Sequence, residues 1–197
     1  MIKCVIFDFD GTLVQSNEIK YKTFYEVTKH LPGANILLDK LLSKDSGDRY
    51  SIFEKLINKL NIVDEGITLS KLTEEYTSIC EKKITLANEI DGASDTIKAL
   101  RSRGIKVFVS SATPKYPLEK IIEARGWKYL FDEVFGSPQS KYEHIQIIIK
   151  KYQITISDAV YVGDNEIDRH VSYLSGCHFV GIGENASRFM VKPDIIL

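Results

Sequence analysis

A chain of 197 residues has room for one domain, or one domain with a modest insertion, and is short for two full-sized domains. Its 26 basic and 27 acidic side chains leave a formal charge of −1, and 44% of its residues are hydrophobic, enough for a sizeable core. That balance argues against disorder and, with no block of Lys and Arg, against a nucleic-acid binder or a protein held on anionic membrane. No uncharged apolar run approaches the ~18 residues of a membrane span. The three cysteines, Cys4, Cys80 and Cys177, show no disulfide or zinc spacing, and the start carries no signal-peptide pattern, so the expected compartment is the reducing cytoplasm.

In chain order, residues 2–7 are rich in β-branched and aromatic side chains and read as a buried strand running into Asp8. From about 15 to 90 the apolar residues fall at helical spacing instead: Leu37, Leu38, Leu41 and Leu42; Ile52, Phe53, Leu56, Ile57 and Leu60; Leu69, Leu72, Tyr76 and Ile79. This stretch is expected to be a helical insertion without strands. Further strands are expected at 105–110, 159–163 and 178–182, with weaker candidates at 133–135 and 194–197. Between them Ile145, Ile148, Ile149 and Tyr152 mark one face of a helix. Alternation of strand and helix from about residue 93 implies right-handed βαβ crossovers. The expected class is therefore α/β, a doubly wound parallel sheet built from 1–14 and 91–197, with 15–90 inserted.

The sharpest chemical feature is Asp8-Phe9-Asp10-Gly11-Thr12, placed directly after the first strand. Ligands of open α/β sheets bind outside the carboxyl ends of the strands, so two carboxylates stand where chemistry is expected. Residues two apart in extended chain point the same way, which would put Asp8 and Asp10 on one side. Gly11 allows a tight turn that would leave its N–H open to an anion. Asp and Gly are also ordinary turn residues, so three later features matter.

Ser111, Ala112 and Thr113 follow the strand at 105–110, where a hydroxyl and backbone N–H groups can donate to phosphate oxygens. Lys141 opens the helix of Ile145 and Ile148, an unfavourable place for a cation unless an anion lies opposite. Gly163-Asp164-Asn165-Glu166-Ile167-Asp168 ends the strand at 159–163 with further acids. Asp164 would complete with Asp8 and Asp10 an all-oxygen site suited to Mg²⁺, with Asp168 behind it holding a metal-bound water or Lys141. The alternative is that Asp164 and Asp168 are only helix-capping and first-turn acids of the following helix.

Taken together, DFDGT, a strand-end serine, a helix-start lysine and GDxxxD resemble, in that order and over residues 5–168, the four motifs of the haloacid dehalogenase superfamily. The insertion between the first two motifs resembles the type C1 cap of the phosphoglycolate phosphatase and β-phosphoglucomutase branch. The resemblance implies a Rossmann-like core with a helical-bundle cap. It implies Asp8 as the nucleophile that becomes an aspartyl phosphate, Asp10 as general acid and base, and Lys141 as the cation that keeps Asp8 ionised. Ser111 and the Phe9, Gly11 and Ala112 amides would hold the transferring oxygens. Mg²⁺ would be held by Asp8, the Asp10 carbonyl and Asp164. In the cap, Gly47-Asp48-Arg49-Tyr50 resembles a specificity loop, from which Arg49 would contact the substrate or simply lie exposed.

The second aspartate favours phosphate esters over halides, because the dehalogenase branch lacks it and works without metal. Lys20 and Lys22 leave a phosphonatase imine lysine open. Gln15, where many C1 members have aspartate, and Tyr142, where proline often follows the lysine, depart from the pattern without touching the bond-making positions. The expected activity is Mg²⁺-dependent hydrolysis of a small phosphorylated metabolite by a monomer or weak homodimer. A phosphomutase using the same core stays open, as does a receiver-like module that is phosphorylated without turnover.

Overall fold

A computed structural model describes residues 1–43, 47–62, 66–183 and 189, together with a short strand at 195–196. The chain forms two compact units, Ser16–Ile84 on the one hand and Met1–Gln15 with Thr85–Leu197 on the other.

The first unit is helical. Its elements are α1 (Asn17–Thr28), α2 (Ala34–Leu42), α3 (Arg49–Leu60) and most of α4 (Leu69–Leu86). The apolar spacings of the sequence fall on the last three, and Leu38, Leu41, Ile52, Phe53, Leu56, Leu72 and Tyr76 are buried. At its centre three rings meet, Phe24 with Phe53 at 5.2 Å, Phe24 with Tyr76 at 4.5 Å and Phe53 with Tyr76 at 5.8 Å between centroids. Offset and edge contacts of this kind contribute about 0.5–1.5 kcal/mol each beyond area burial. Asp48 caps α3, its carboxylate accepting from the Ser51 N–H at 2.9 Å.

The second unit is a parallel sheet with strands β1 (Cys4–Phe7), β2 (Lys106–Pro114), β3 (Glu133–Ser137), β4 (Ala159–Gly163), β5 (His178–Gly181) and β6 (Ile195–Ile196). Their order is β3-β2-β1-β4-β5-β6, which reverses direction between β1 and β4 and so makes the switch point where such sheets bind ligands. The helices between strands are α5 (Ala93–Ser102), α6 (Lys115–Ala124), α7 (Lys141–Tyr152) and α8 (Glu166–Ser175). Ile6, Phe108 and Tyr161 from the strands pack with Ile145 and Ile148 of α7 in one core cluster. Each such buried side chain contributes about 1.5–3 kcal/mol.

Two details differ from the sequence expectation. Strand β2 does not stop at Ser110 but continues through Ser111 and Thr113 to Pro114, with a register irregularity between Ser110 and Pro114. Its tail lies so close to β3 that a Cβ on Gly136 would stand 2.6 Å from the Thr113 carbonyl oxygen, so only glycine permits the approach. The return from the helical unit also belongs to the sheet unit from Thr85 onward rather than from 91. There the Gln15 N–H donates to the Asn88 carbonyl at 3.0 Å and the Ile90 N–H to the Leu13 carbonyl at 2.9 Å. Among the described residues no helix is long and apolar enough to cross a membrane.

Candidate active site

Register places the site. Phe7 is paired with Val109 on one side and Val162 on the other, so the next residues, Asp8, Ser110 and Gly163, share one level at the carboxyl ends of three adjacent strands. Asp8 is buried, and its backbone N–H donates to the Val162 carbonyl at 2.8 Å.

Lys141, the first residue of α7, reaches Asp8 Oδ1 at 2.9 Å and Asp168 Oδ1 at 2.7 Å. Its helix begins with a capping box, in which Ser140 Oγ accepts from the Glu143 N–H at 3.2 Å while Glu143 Oε2 accepts from the Ser140 N–H at 2.7 Å. With the helix start secured there, the lysine is left to the aspartates. Asp168 sits in the first turn of α8, and a Cβ on Gly163 would lie 2.4 Å from its Cβ and Cγ. The glycine of the GDxxxD motif is therefore needed so that the helix carrying Asp168 can lie against the strand end.

Asn165, not an aspartate, caps α8: its Oδ1 accepts from the Ile167 N–H at 2.9 Å and the Asp168 N–H at 3.2 Å. Neither Asp164 nor Asp168 therefore caps the helix, while Asp168 does lie among its first-turn acids. Asp8, Asp164 and Asp168 each offer a carboxylate oxygen within 4.8 Å of the others.

The electrostatics are those of a site short of positive charge. Burial pushes the Asp8 carboxyl above its ordinary value and Asp10 adds to the push, with Lys141 opposing. Burial and then Asp8 push Asp168 up to about 7 against the pull of Lys141. For Lys141 burial works downward, but Asp8 and Asp168 outweigh it and hold the ammonium well above its usual range. Asp168 Oδ2 is buried without a hydrogen-bond partner. Crowded carboxylates, an all-oxygen donor set and this bare oxygen fit a hard divalent cation such as Mg²⁺.

The expected residues are not all placed as the sequence suggested. Asp10 does not join the three-carboxylate cluster. Its Oδ2 accepts from Thr113 Oγ1 at 2.9 Å and more weakly from Ser111 Oγ at 3.4 Å. Gly11 has φ +76°, but that turn points its N–H at the Val14 carbonyl at 2.8 Å and so does not leave it open for an anion. Ser111 is fully buried and its hydroxyl also accepts from the Thr113 N–H at 3.0 Å, whereas Ala112 is exposed on the irregular tail of β2. Phe9 is buried, and its N–H bonds the Asp8 carboxylate.

Arg49 donates to Thr77 Oγ1 at 2.8 Å and stacks on the Tyr76 ring at 5.1 Å. Its guanidinium is thus engaged inside the helical unit instead of lying open on a loop. Thr113 was legible only as part of a hydroxyl-rich turn. The signal for its role is its spacing of two from Ser111, which in a continued strand puts both hydroxyls on one side.

This arrangement of strand-end aspartates and a helix-start lysine has a family. The Haloacid dehalogenase-like hydrolase family matches residues 5–182, and the chain belongs to it; it is a hydrolase on that fold. Pyrophosphatase PpaX of Bacillus pumilus is 24% identical over 206 residues, covering 100% of this chain and 92% of its own. A phosphoglycolate phosphatase of Cereibacter sphaeroides is 22% identical over 179 residues, covering 89% of this chain and 82% of its own. Among solved structures, CbbY of Rhodobacter sphaeroides in complex with xylulose-1,5-bisphosphate superposes with a TM-score of 0.79 at 15% identity, covering 100% of this chain and 94% of that one. At that identity the likeness is one of fold.

Proposed function

We propose that this hydrolase is a Mg²⁺-dependent phosphatase of small phosphate monoesters, acting through an aspartyl phosphate on Asp8, with the helical unit as its type C1 cap. The observation that carries the reading is the buried Lys141 ammonium held between Asp8 and Asp168, beside Asp164 and at the switch point of the sheet. Phosphoryl transfer needs little beyond positioning and charge neutralisation, and these residues supply both.

Lys141 holds Asp8 Oδ1, which fixes the carboxylate and keeps it ionised for attack on phosphorus. As the new Asp–O–P bond forms, the bond to the leaving alcohol breaks, and Asp10 gives that oxygen its proton. The Asp10 carboxylate then takes a proton from a water, which attacks phosphorus and releases inorganic phosphate and free Asp8. The Thr113 hydroxyl orients Asp10 for both transfers. Asp8, Asp164 and the Asp10 carbonyl would hold Mg²⁺, with Asp168 behind them, and the bound ion supplies neutralisation of the phosphate charge.

The names of the relatives support a small metabolite, a sugar phosphate or a phosphoglycolate-like acid, and add pyrophosphate to the compounds worth testing. The experiment is a Mg²⁺-dependent phosphate-release screen over phosphorylated metabolites, sugar bisphosphates and pyrophosphate. Release from a monoester, lost on chelation and in Asp8→Asn, is expected. Isomerised sugar phosphate without stoichiometric phosphate release would replace the phosphatase with a mutase, and turnover retained in Asp8→Asn would sink the mechanism.

A further inference from the structure

Behind the carboxylates lies a second buried polar group that the proposed mechanism does not use. Tyr161 of β4 is fully buried, and its hydroxyl donates to the Ser110 carbonyl at 3.0 Å, with Ser110 Oγ at 3.3 Å. Strand β1 runs between β4 and β2, so the tyrosine spans two strand spacings, about 9.6 Å, passing across β1 on the α7 side of the sheet. From the helix side, His144 Nδ1 meets the same Ser110 Oγ at 2.9 Å. The imidazole ring lies on Phe135, with centroids 5.4 Å apart and planes at 37°, which fixes its rotation.

His144 stands three residues after Lys141 on α7, hence on the same helix face one turn along. Ser110 immediately precedes Ser111 and is level with Asp8. The chain of bonds Tyr161–Ser110–His144 therefore ties β4 and β2 to the first turn of α7; Asp164 follows the first of these elements, and Ser111 and Lys141 lie on the other two.

Three apolar side chains of similar shape would fill this space without desolvating polar groups, and replacing both partners of a buried hydrogen bond in that way is often neutral for stability. The protein buries the polar set although His144 Nε2 makes no hydrogen bond. What directional bonds give, and apolar contact does not, is a fixed setting of the helix against the strand. Lys141 needs that setting, since its ammonium must reach two carboxylates at once. Burial keeps the imidazole neutral, with Lys141 and Lys115 acting in the same direction and the Gly136 carbonyl and Glu143 pulling the other way. No second cation thus competes with Lys141 for Asp8.

We propose that Ser110, His144 and Tyr161 form a positioning strap that holds α7 in register so that Lys141 reaches Asp8, with His144 as its replaceable link. The inference rests on the phosphatase reading for its kinetic consequence, but its structural core can be tested without turnover.

The test compares His144→Asn, whose side-chain amide can take the place of Nδ1, with His144→Leu, which fills the space without the bond. With p-nitrophenyl phosphate and Mg²⁺, His144→Leu is expected to lower kcat about tenfold with KM within about twofold, since misplacement of a catalytic group by ~1 Å costs up to 10². His144→Asn is expected to recover most of the loss. In parallel, the Lys141 ammonium signal in lysine-selective ¹H–¹⁵N spectra is expected to shift in His144→Leu and return toward wild type in His144→Asn. Equal kcat for the two variants, or an unmoved ammonium signal, would overturn the strap. If wild type itself releases no phosphate from any ester, the functional reading fails, while the ammonium signal still decides the strap.

Discussion

Both units of this molecule bury polar side chains, but the buried threonines of the helical unit are satisfied differently from the polar groups of the site. In the helical unit, Thr23, Thr28 and Thr73 turn back on their own helices and donate to the carbonyls of Ile19, Phe24 and Leu69 at 2.7, 2.7 and 2.8 Å. In the sheet unit Ser172 does the same toward the Asp168 carbonyl at 2.7 Å, but the buried partners at the site come from different elements: Lys141 of α7 with Asp168 of α8, Thr113 of β2 with Asp10, and Tyr161 of β4 with Ser110 of β2. A local bond can be deleted without stranding anything, because the carbonyl keeps its helical N–H. A bond between elements holds those elements in place, and losing one partner leaves the other desolvated. Removal of a buried hydroxyl should therefore act on activity where the bond joins elements of the site and do little where it is local to one helix.

The largest effect is expected at Asp8. Asp8→Asn should reduce Mg²⁺-dependent turnover by at least ~10³-fold, the scale of losing a nucleophile. Because burial and Asp10 raise the Asp8 carboxyl, the neutral amide should at the same time leave the metal-free fold as stable or more stable, read as an unchanged or higher Tm. Mg²⁺ should raise the Tm of wild type, since a ligand of the native state stabilises it by mass action, and should raise that of Asp8→Asn less. A large fall in Tm for the metal-free variant would mean that the carboxylate serves the fold.

Gly163→Ala comes next. Its Cβ would stand 2.4 Å from Asp168, and overpacking of this kind costs about 1–3 kcal/mol. A lower urea midpoint with a parallel loss of kcat is expected. Gly126→Ala, where no heavy atom lies within 4 Å of the added Cβ although φ is +72°, should destabilise by backbone strain and leave kcat alone.

The contrast between the units also sets what was legible in the sequence. Strand positions were readable because buried parallel strands are continuous apolar runs, and the residues at 159–163 and 178–181 fall where those runs lie. Asp8 and Asp164 were readable because they follow the ends of such runs, which register brings side by side, and Lys141 because a cation opening a helix calls for an anion opposite. What could not be read is how a strand end bends. Strand β2 continues past Ser110, and this turns Thr113 toward Asp10; the Gly11 turn consumes the N–H that an open loop would have offered. The engagement of Arg49 could not be read for a similar reason, since its polar neighbours in sequence conceal a partner, Thr77, 28 residues away along the chain. Local spacing predicts which face a residue takes and not which distant group will meet it.

Two further measurements sharpen the contrast within the sheet unit. Thr113→Val keeps the shape and removes the hydroxyl that orients Asp10, so kcat should fall about tenfold, within the range that a general acid contributes, with Tm moving little. His144 gives a pH signature. Burial pulls it down to about 4 from the ordinary 6.5, so between those values the unfolded chain binds the proton more readily than the fold does. Its contribution to stability is complete above pH 6.5 and is lost as the pH falls toward 4. The fall in urea midpoint from pH 7 to pH 5 should be shallower in His144→Asn than in wild type.

The smallest effect, and the one that tests the comparison most directly, is expected from Thr28→Val. Thr28 is as buried as Ser110, and its hydroxyl makes a bond of 2.7 Å to the Phe24 carbonyl, so burial and bond length alone would rank it with the site residues. Valine has the same shape, and the Phe24 carbonyl keeps the backbone N–H that α1 already supplies, so no group is stranded. The lost hydrogen bond is worth about 0.5–1.5 kcal/mol, and burying a methyl in place of the hydroxyl returns about 0.8 kcal/mol. The two nearly cancel, and threonine bonding back to its own helix is slightly unfavourable to begin with. Thr28→Val should therefore move stability by no more than about 0.5 kcal/mol and leave kcat unchanged. Thr113→Val, the same chemical change at a hydroxyl that serves another element, should not; equal kcat losses in the two variants would show that the distinction between local and cross-element bonds does not govern this protein.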